Sequence, residues 1–200
     1  MTARDEPVIG REGARPKGVA RRLEILDRAI EVFRERGADG TSLRRIAEAI
    51  GVSHAALLHY FDSREQLLVA VYAHAEAQRA ASECTTPPTG IDVMVTAAIA
   101  NVEVPGLVQL YTTLVAASLE SQSEVGKAFF TARFERVRGQ LTEDLRAAQQ
   151  AGTVRDDLPA EHLAALIVAA SDGLQVQWLL EPSVGLEETL RTLGELLKPH

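Results

Sequence analysis

Ser42-Leu43-Arg44-Arg45-Ile46-Ala47-Glu48-Ala49-Ile50-Gly51-Val52-Ser53-His54-Ala55-Ala56-Leu57-Leu58-His59-Tyr60-Phe61 is the stretch whose pattern sets the fold. Leu43, Ile46, Ala47 and Ile50 recur at threes and fours, which marks one face of a short helix. Gly51 can take a positive φ and so turn the chain sharply. Ser53 offers an N-cap to a second helix that carries Leu57 and Phe61. Ala47 is small where the two helices must cross, and Val52 plugs the angle between them. The stretch therefore predicts a helix-turn-helix, with Ile46, Ile50, Leu57 and Phe61 burying the pair on a preceding helix.

That preceding helix is predicted from about Val19 to Arg36. Leu23, Leu26, Ile30 and Phe33 form its apolar face, and Gly37 ends it. After the pair, Ser63 with Gln66 three residues on matches a capping box. It opens a fourth helix carrying Leu67, Leu68, Val71, Tyr72 and Ala75. Pro87, Pro88 and Gly90 mark a break at Thr85 to Gly90. Further helical patterns run at about 91–101, 106–119, 123–151, 159–180 and 186–197. No strand-like alternation with hairpin turns appears. The predicted fold class is all-α, with about nine helices: a flexible basic arm at 1–18, a head at 19–65 and a larger helical domain at 66–200.

The composition is that of a globular chain, 46 % hydrophobic and 24 % charged. No uninterrupted apolar run reaches the roughly 18 residues of a membrane span. Met1 to Pro16 is polar, without the apolar core of a signal peptide. The single cysteine, Cys84, excludes an internal disulfide and suits a reducing compartment. A cytoplasmic location is expected. The net charge of −7 is unevenly spread. Residues 66–200 carry 9 Lys and Arg against 17 Asp and Glu, while residues 11–22 carry five basic residues and one acid. A local basic stripe matters more to phosphate binding than the total charge does.

The exposed face of the second helix of the pair is predicted to hold Ser53, His54, Ala55, Leu58 and His59, with Tyr60 beside it. Small and hydrogen-bonding side chains there can approach base edges in a major groove. On spacing alone, the alternative is a surface helical hairpin with no partner.

Thr41-Ser42-Leu43-Arg44-Arg45-Ile46-Ala47, Gly51-Val52-Ser53 and Leu57-Leu58-His59-Tyr60-Phe61-Asp62-Ser63-Arg64-Glu65-Gln66-Leu67 resemble the N-terminal domain of the tetracycline-repressor-type (TetR) family. The resemblance implies a DNA-binding transcriptional regulator. It implies that Ser42 meets a phosphate, that Arg44 reaches a base, and that His54 and Ala55 read bases. Tyr60 and Arg64 match phosphate-facing positions. Ser53 and His59 complete the implied DNA-binding set. At Leu58 the family commonly has Tyr. A leucine cannot hydrogen-bond, so it either touches a thymine methyl or simply packs. Arg11, Arg15, Lys17, Arg21 and Arg22 are read as an arm for the minor groove.

For the rest of the chain the resemblance implies a homodimer and a pocket for a small effector. The dimer stripe is expected on Leu163, Leu166, Ile167, Ala170 and Leu174, with Leu190 and Leu193 from the last helix. The alternative is that these stripes face the chain's own core. Met94, Tyr111, Leu114, Phe129, Phe130, Phe134 and Trp178 are the candidate pocket lining, suited to a hydrophobic or aromatic ligand. The implied mechanism is a repressor released from a palindromic double-stranded operator by effector. An activator, or a helical ligand-binding module that kept a repressor-like head, are the rival readings. No cofactor, no metal site and no membrane partner are expected. No Gly-rich phosphate loop, paired-Cys site or nucleophile elbow suggests an enzyme.

Overall fold

A computed structural model describes residues 16–36, 43–82, 104–120 and 124–199. All regular structure among them is helical: α1 (Pro16–Arg36), α2 (Leu43–Ala49), α3 (His54–Tyr60), α4 (Arg64–Ser82), α5 (Pro105–Glu120), α6 (Glu124–Gln150), α7 (Ala160–Leu180) and α8 (Leu186–Leu196). These agree with the predicted helices to within about three residues, as expected of helix ends. The helix predicted at 91–101 lies outside the described residues, among which the other eight predicted helices are seen. The chain forms two compact units. One comprises 1–82 with 109–127, the other 83–108 with 128–200.

In the first unit, α1 packs on α4 and α2, and α2 packs on α3. Helix α1 begins at Pro16, three residues before the predicted start, with its proline at the position where a missing N–H costs nothing. Its buried face runs through Ile25, Leu26, Ala29, Ile30, Val32 and Phe33. Leu23, predicted in that face, is exposed instead. Ile25 and Ala29, one turn apart, are buried instead. Residues 67–72 of α4 are buried all round, as a helix enclosed by neighbours must be. A polar tie joins the two long helices: His74 Nε2 and Gln78 Nε2 lie 2.7 and 2.6 Å from Asp27 Oδ1. Tyr72 of α4 stacks on Tyr111 of α5, with ring centroids 5.1 Å apart. At the first turn of α6, Gly126 is buried. A Cβ there would stand 2.6 Å from Glu65 Oε1, so a larger residue would make the Glu65 carboxylate shift.

In the second unit, Leu141 and Leu145 of α6, Leu163, Ala164, Ile167 and Val168 of α7, and Leu197 form one core cluster. Leu186 and Leu190 form another, against which Leu174 and Trp178 pack. Ser171 and Gln175, buried within α7, bond each other, with Gln175 Nε2 donating to Ser171 Oγ at 3.3 Å. By length and composition, α7 is also apolar enough to cross a membrane. Only scattered polar residues interrupt it, and one of its sides fills the core described above.

Candidate nucleic-acid interface

The turn between α2 and α3 is built by hydrogen bonds that only a left-handed residue permits. Gly51 adopts φ +70°. Its N–H donates to the Glu48 carbonyl at 3.1 Å, and the Val52 N–H reaches back to the Ala47 carbonyl at 2.9 Å. This is the Schellman arrangement, which satisfies the orphan carbonyls at a helix end. Ser53 then caps α3 as predicted, its Oγ accepting the Ala56 N–H at 3.1 Å. At the far end the Phe61 N–H closes on the Leu57 carbonyl at 2.9 Å. Ser63 caps α4 by accepting the Gln66 N–H at 3.0 Å. The reciprocal arm of this box falls one residue early: Gln66 Oε1 accepts from the Asp62 N–H, not from Ser63.

Leu57 and Phe61 pin α3 to the head from within. His54, Ala55, Leu58 and His59 are exposed, and Tyr60 is half-buried with its ring edge-on to His59 at 5.2 Å. Leu58 is 42 % exposed. Arg44 is exposed on α2. It borders an open groove of about 540 Å³ with Ala47, Glu48, Val52 and His54. Arg64 is exposed at the start of α4. The structure thus gathers Arg44, Ser53, His54, Ala55, His59, Tyr60 and Arg64 on α2, α3 and the start of α4. Ser42 lies outside the described residues.

The basic arm needs correction. Lys17, Arg21 and Arg22 are residues of α1, not of an extended segment, because the helix starts at Pro16. Arg21 pairs with Glu24 at 2.5 Å. Arg22 lies with its guanidinium 4.8 Å from the Phe61 ring centroid. Its buried Nε has no hydrogen-bond partner among the described residues, and burial pushes its pKa below the ordinary arginine value. Arg22 therefore braces the end of α3. Arg11 and Arg15 lie outside the described residues.

The residues expected to line an effector pocket fall in both units. Tyr111 and Leu114 belong to the first unit, while Phe129, Phe130, Phe134 and Trp178 belong to the second. Within the second unit, Phe134 packs on the cluster around Leu141, and Trp178 packs on the cluster around Leu190. Met94 lies outside the described residues. Tyr72, which stacks on Tyr111, is an aromatic group the pocket reading left out. Its place in the apolar pattern of α4 marked it only as core.

The expected dimer stripe also divides. Leu163, Ile167 and Leu190 are buried in the chain's own core, and Ala170, Leu174 and Leu193 are half-buried. On the other side of α7, Leu166 (61 % exposed), Val176 (41 %) and Leu180 (83 %) stand exposed, and Leu196 of α8 is 65 % exposed. Ala169 and Gly173 complete a 166, 169, 173, 176, 180 stripe of helical spacing, also exposed. The spacing was readable in the sequence. A helix apolar on two sides does not say which one faces inward.

A capped helix exposing a short polar and apolar face, set on two supporting helices, defines a helix-turn-helix DNA-binding regulator. Residues 25–71 match the family model of bacterial regulatory proteins, tetR family, and residues 122–198 match that of BetI-type transcriptional repressor C-terminal domains. The HTH-type transcriptional repressor Rv1474c of Mycobacterium tuberculosis is 30 % identical over 156 residues, covering 78 % of this chain and 80 % of that protein. The crystal structure of a TetR transcription regulator from Haloarcula marismortui matches with a TM-score of 0.72 at 21 % identity, covering 89 % of this chain and 98 % of that one. A transcriptional regulator from Saccharomonospora viridis in complex with choline matches at 0.68 and 19 % identity, over 89 % and 95 % of the two chains. The chain belongs to the TetR family of DNA-binding transcriptional regulators, which are not enzymes.

Proposed function

We infer that this protein is a cytoplasmic repressor that grips a palindromic operator as a twofold dimer and lets go when a small hydrophobic or aromatic effector binds. The observation that carries the reading is α3: its inner side is sunk in the head while His54, Ala55, Leu58 and His59 point outward together. Arg44, Ser53, Tyr60 and Arg64 flank them, with Ser42 and the basic residues Arg11, Arg15 and Lys17 as further phosphate contacts. Residues 19–65 read DNA, and residues 66–200 bind effector and join the two copies.

The exposed α7 stripe supports the dimer. An apolar row with small residues at its centre suits close approach of a second helix, and exposed apolar patches of this kind mark association surfaces. The pairing residues are then Leu166, Ala169, Gly173, Val176 and Leu180 with Leu196, not Leu163, Ile167 and Leu190. Twofold symmetry sets the two recognition helices to enter grooves about 34–36 Å apart, or a multiple of that. Read this way, α7 is core on one side and interface on the other, with no membrane involved. The choline bound by the Saccharomonospora viridis regulator supports a small-molecule effector for this fold.

The test is binding to the DNA upstream of the protein's own gene, followed by fluorescence anisotropy across salt, with the complex mass measured by sedimentation. Two chains per site are expected. If six or more phosphates are contacted, affinity falls by about 10³-fold or more between 50 and 200 mM salt. A monomer on DNA, or binding indifferent to salt, overturns the proposal.

A further inference from the structure

Leu58 is 42 % exposed on a seven-residue helix whose buried anchors are Leu57 and, just beyond its end, Phe61. The flank it occupies is shared with His54, one turn back. His54 in turn borders the open groove that Arg44 lines on α2. Ala55, three residues before Leu58, is also exposed. The outer side of α3 is therefore an apolar pair, Ala55 and Leu58, bracketed by two histidines. Leucine has no donor and no acceptor, so it can select a base only through apolar contact. In the major groove, thymine alone among the four bases presents an apolar group, its 5-methyl. We propose that Leu58 is a specificity-determining residue that reads a thymine methyl in each half-site.

This rests on the DNA-binding reading above and adds to it the chemistry of one base position. Histidines at 54 and 59 supply the hydrogen bonds that fix the register. Leu58 supplies discrimination between thymine and any base lacking the methyl. An aromatic hydroxyl at 58 would add a polar contact and weaken that filter, whereas alanine would be too short to reach it.

The experiment begins with selection of a duplex from a random-sequence pool by the full-length protein. Each thymine of the selected site is then replaced, one symmetric pair at a time, by deoxyuridine, which removes only the methyl. Binding is measured for the wild type, Leu58→Ala and Leu58→Met. For the wild type, one pair of replacements is expected to weaken binding by about fourfold per half-site, or about fifteenfold for both, the value of one buried methyl group each. Leu58→Ala binds thymine and uracil duplexes alike at that pair, and Leu58→Met keeps part of the preference. Unchanged thermal unfolding of both variants shows that the loss is not one of fold. A Leu58→Ala protein that still distinguishes the two bases as strongly as the wild type overturns the proposal. So does a selected site in which no replacement matters, and in both cases the DNA-binding reading stands. If no duplex is enriched at all, that reading fails and this one fails with it.

Discussion

Replacing Gly51 by alanine isolates the energy of the turn that aims α3. At φ +70° an L-residue crowds its own following carbonyl, a cost of about 1 to 2 kcal/mol. A Cβ at this position meets nothing within 4 Å, so no clash adds to it. Alanine also has fewer unfolded conformations than glycine, which offsets about 0.4–1 kcal/mol and leaves a net loss of about 1 kcal/mol. Gly152 is a built-in control. It has the same φ of +70°, the same open surroundings, and the same bond pair, with its own N–H to Gln149 and the Thr153 N–H to Ala148, both 3.0 Å. The backbone argument predicts the same penalty at both. Urea denaturation followed by circular dichroism measures each, with unchanged m-values, and amide exchange assigns the effect to one unit or the other. Gly51→Asn is expected to cost less than Gly51→Ala, because asparagine tolerates the left-handed region. Only the Gly51 variants are expected to lower DNA affinity, since only that turn orients α3. Penalties at the two glycines differing by more than about 0.5 kcal/mol, the usual scatter of uncoupled surface changes, would refute the reasoning. So would an asparagine variant no better than alanine.

Three further outcomes are expected. Ser53→Ala removes the cap of a helix only seven residues long and costs about 1 kcal/mol in a denaturation experiment, part of it restored in Ser53→Thr. Leu163→Ala opens a cavity in the second unit's core and costs about 2–5 kcal/mol, whereas Leu166→Ala, one turn along on the exposed side, leaves the isolated chain within about 0.5 kcal/mol of wild type. In sedimentation, Leu166→Ala instead weakens self-association, and loss of association in neither variant removes the proposed interface. The Glu161 carboxyl is held below the ordinary carboxylate range, first by its own backbone N–H at the start of α7 and then by Arg146. Its contribution to stability is therefore complete above the ordinary glutamate pKa and is lost as pH falls through the lower folded value. Carboxyl carbon NMR titration of Arg146→Ala should show a raised Glu161 midpoint that still lies below the unfolded one. A midpoint unmoved by the substitution means that the ion pair contributes nothing.

What the sequence determined by itself is local: where each described helix runs, that Gly51 turns and Ser53 caps, and that Leu57 and Phe61 anchor α3 while His54, Ala55 and His59 stay outside. These follow from residue spacing and from bonds that close within a few residues, and no distant part of the chain is needed to set them. The tertiary structure decided which side of an apolar helix is the inside. Leu23 is exposed on α1, whereas Ile25 and Ala29 are buried. Leu163 and Ile167 face inward, and Leu166 and Leu180 outward, because α6 and α8 supply apolar partners on one side of α7 only. Within the second unit, Phe134 and Trp178 likewise pack on different clusters. Periodicity reports that a face is apolar, but burial is a property of two surfaces, and the second belongs to residues far away in the chain.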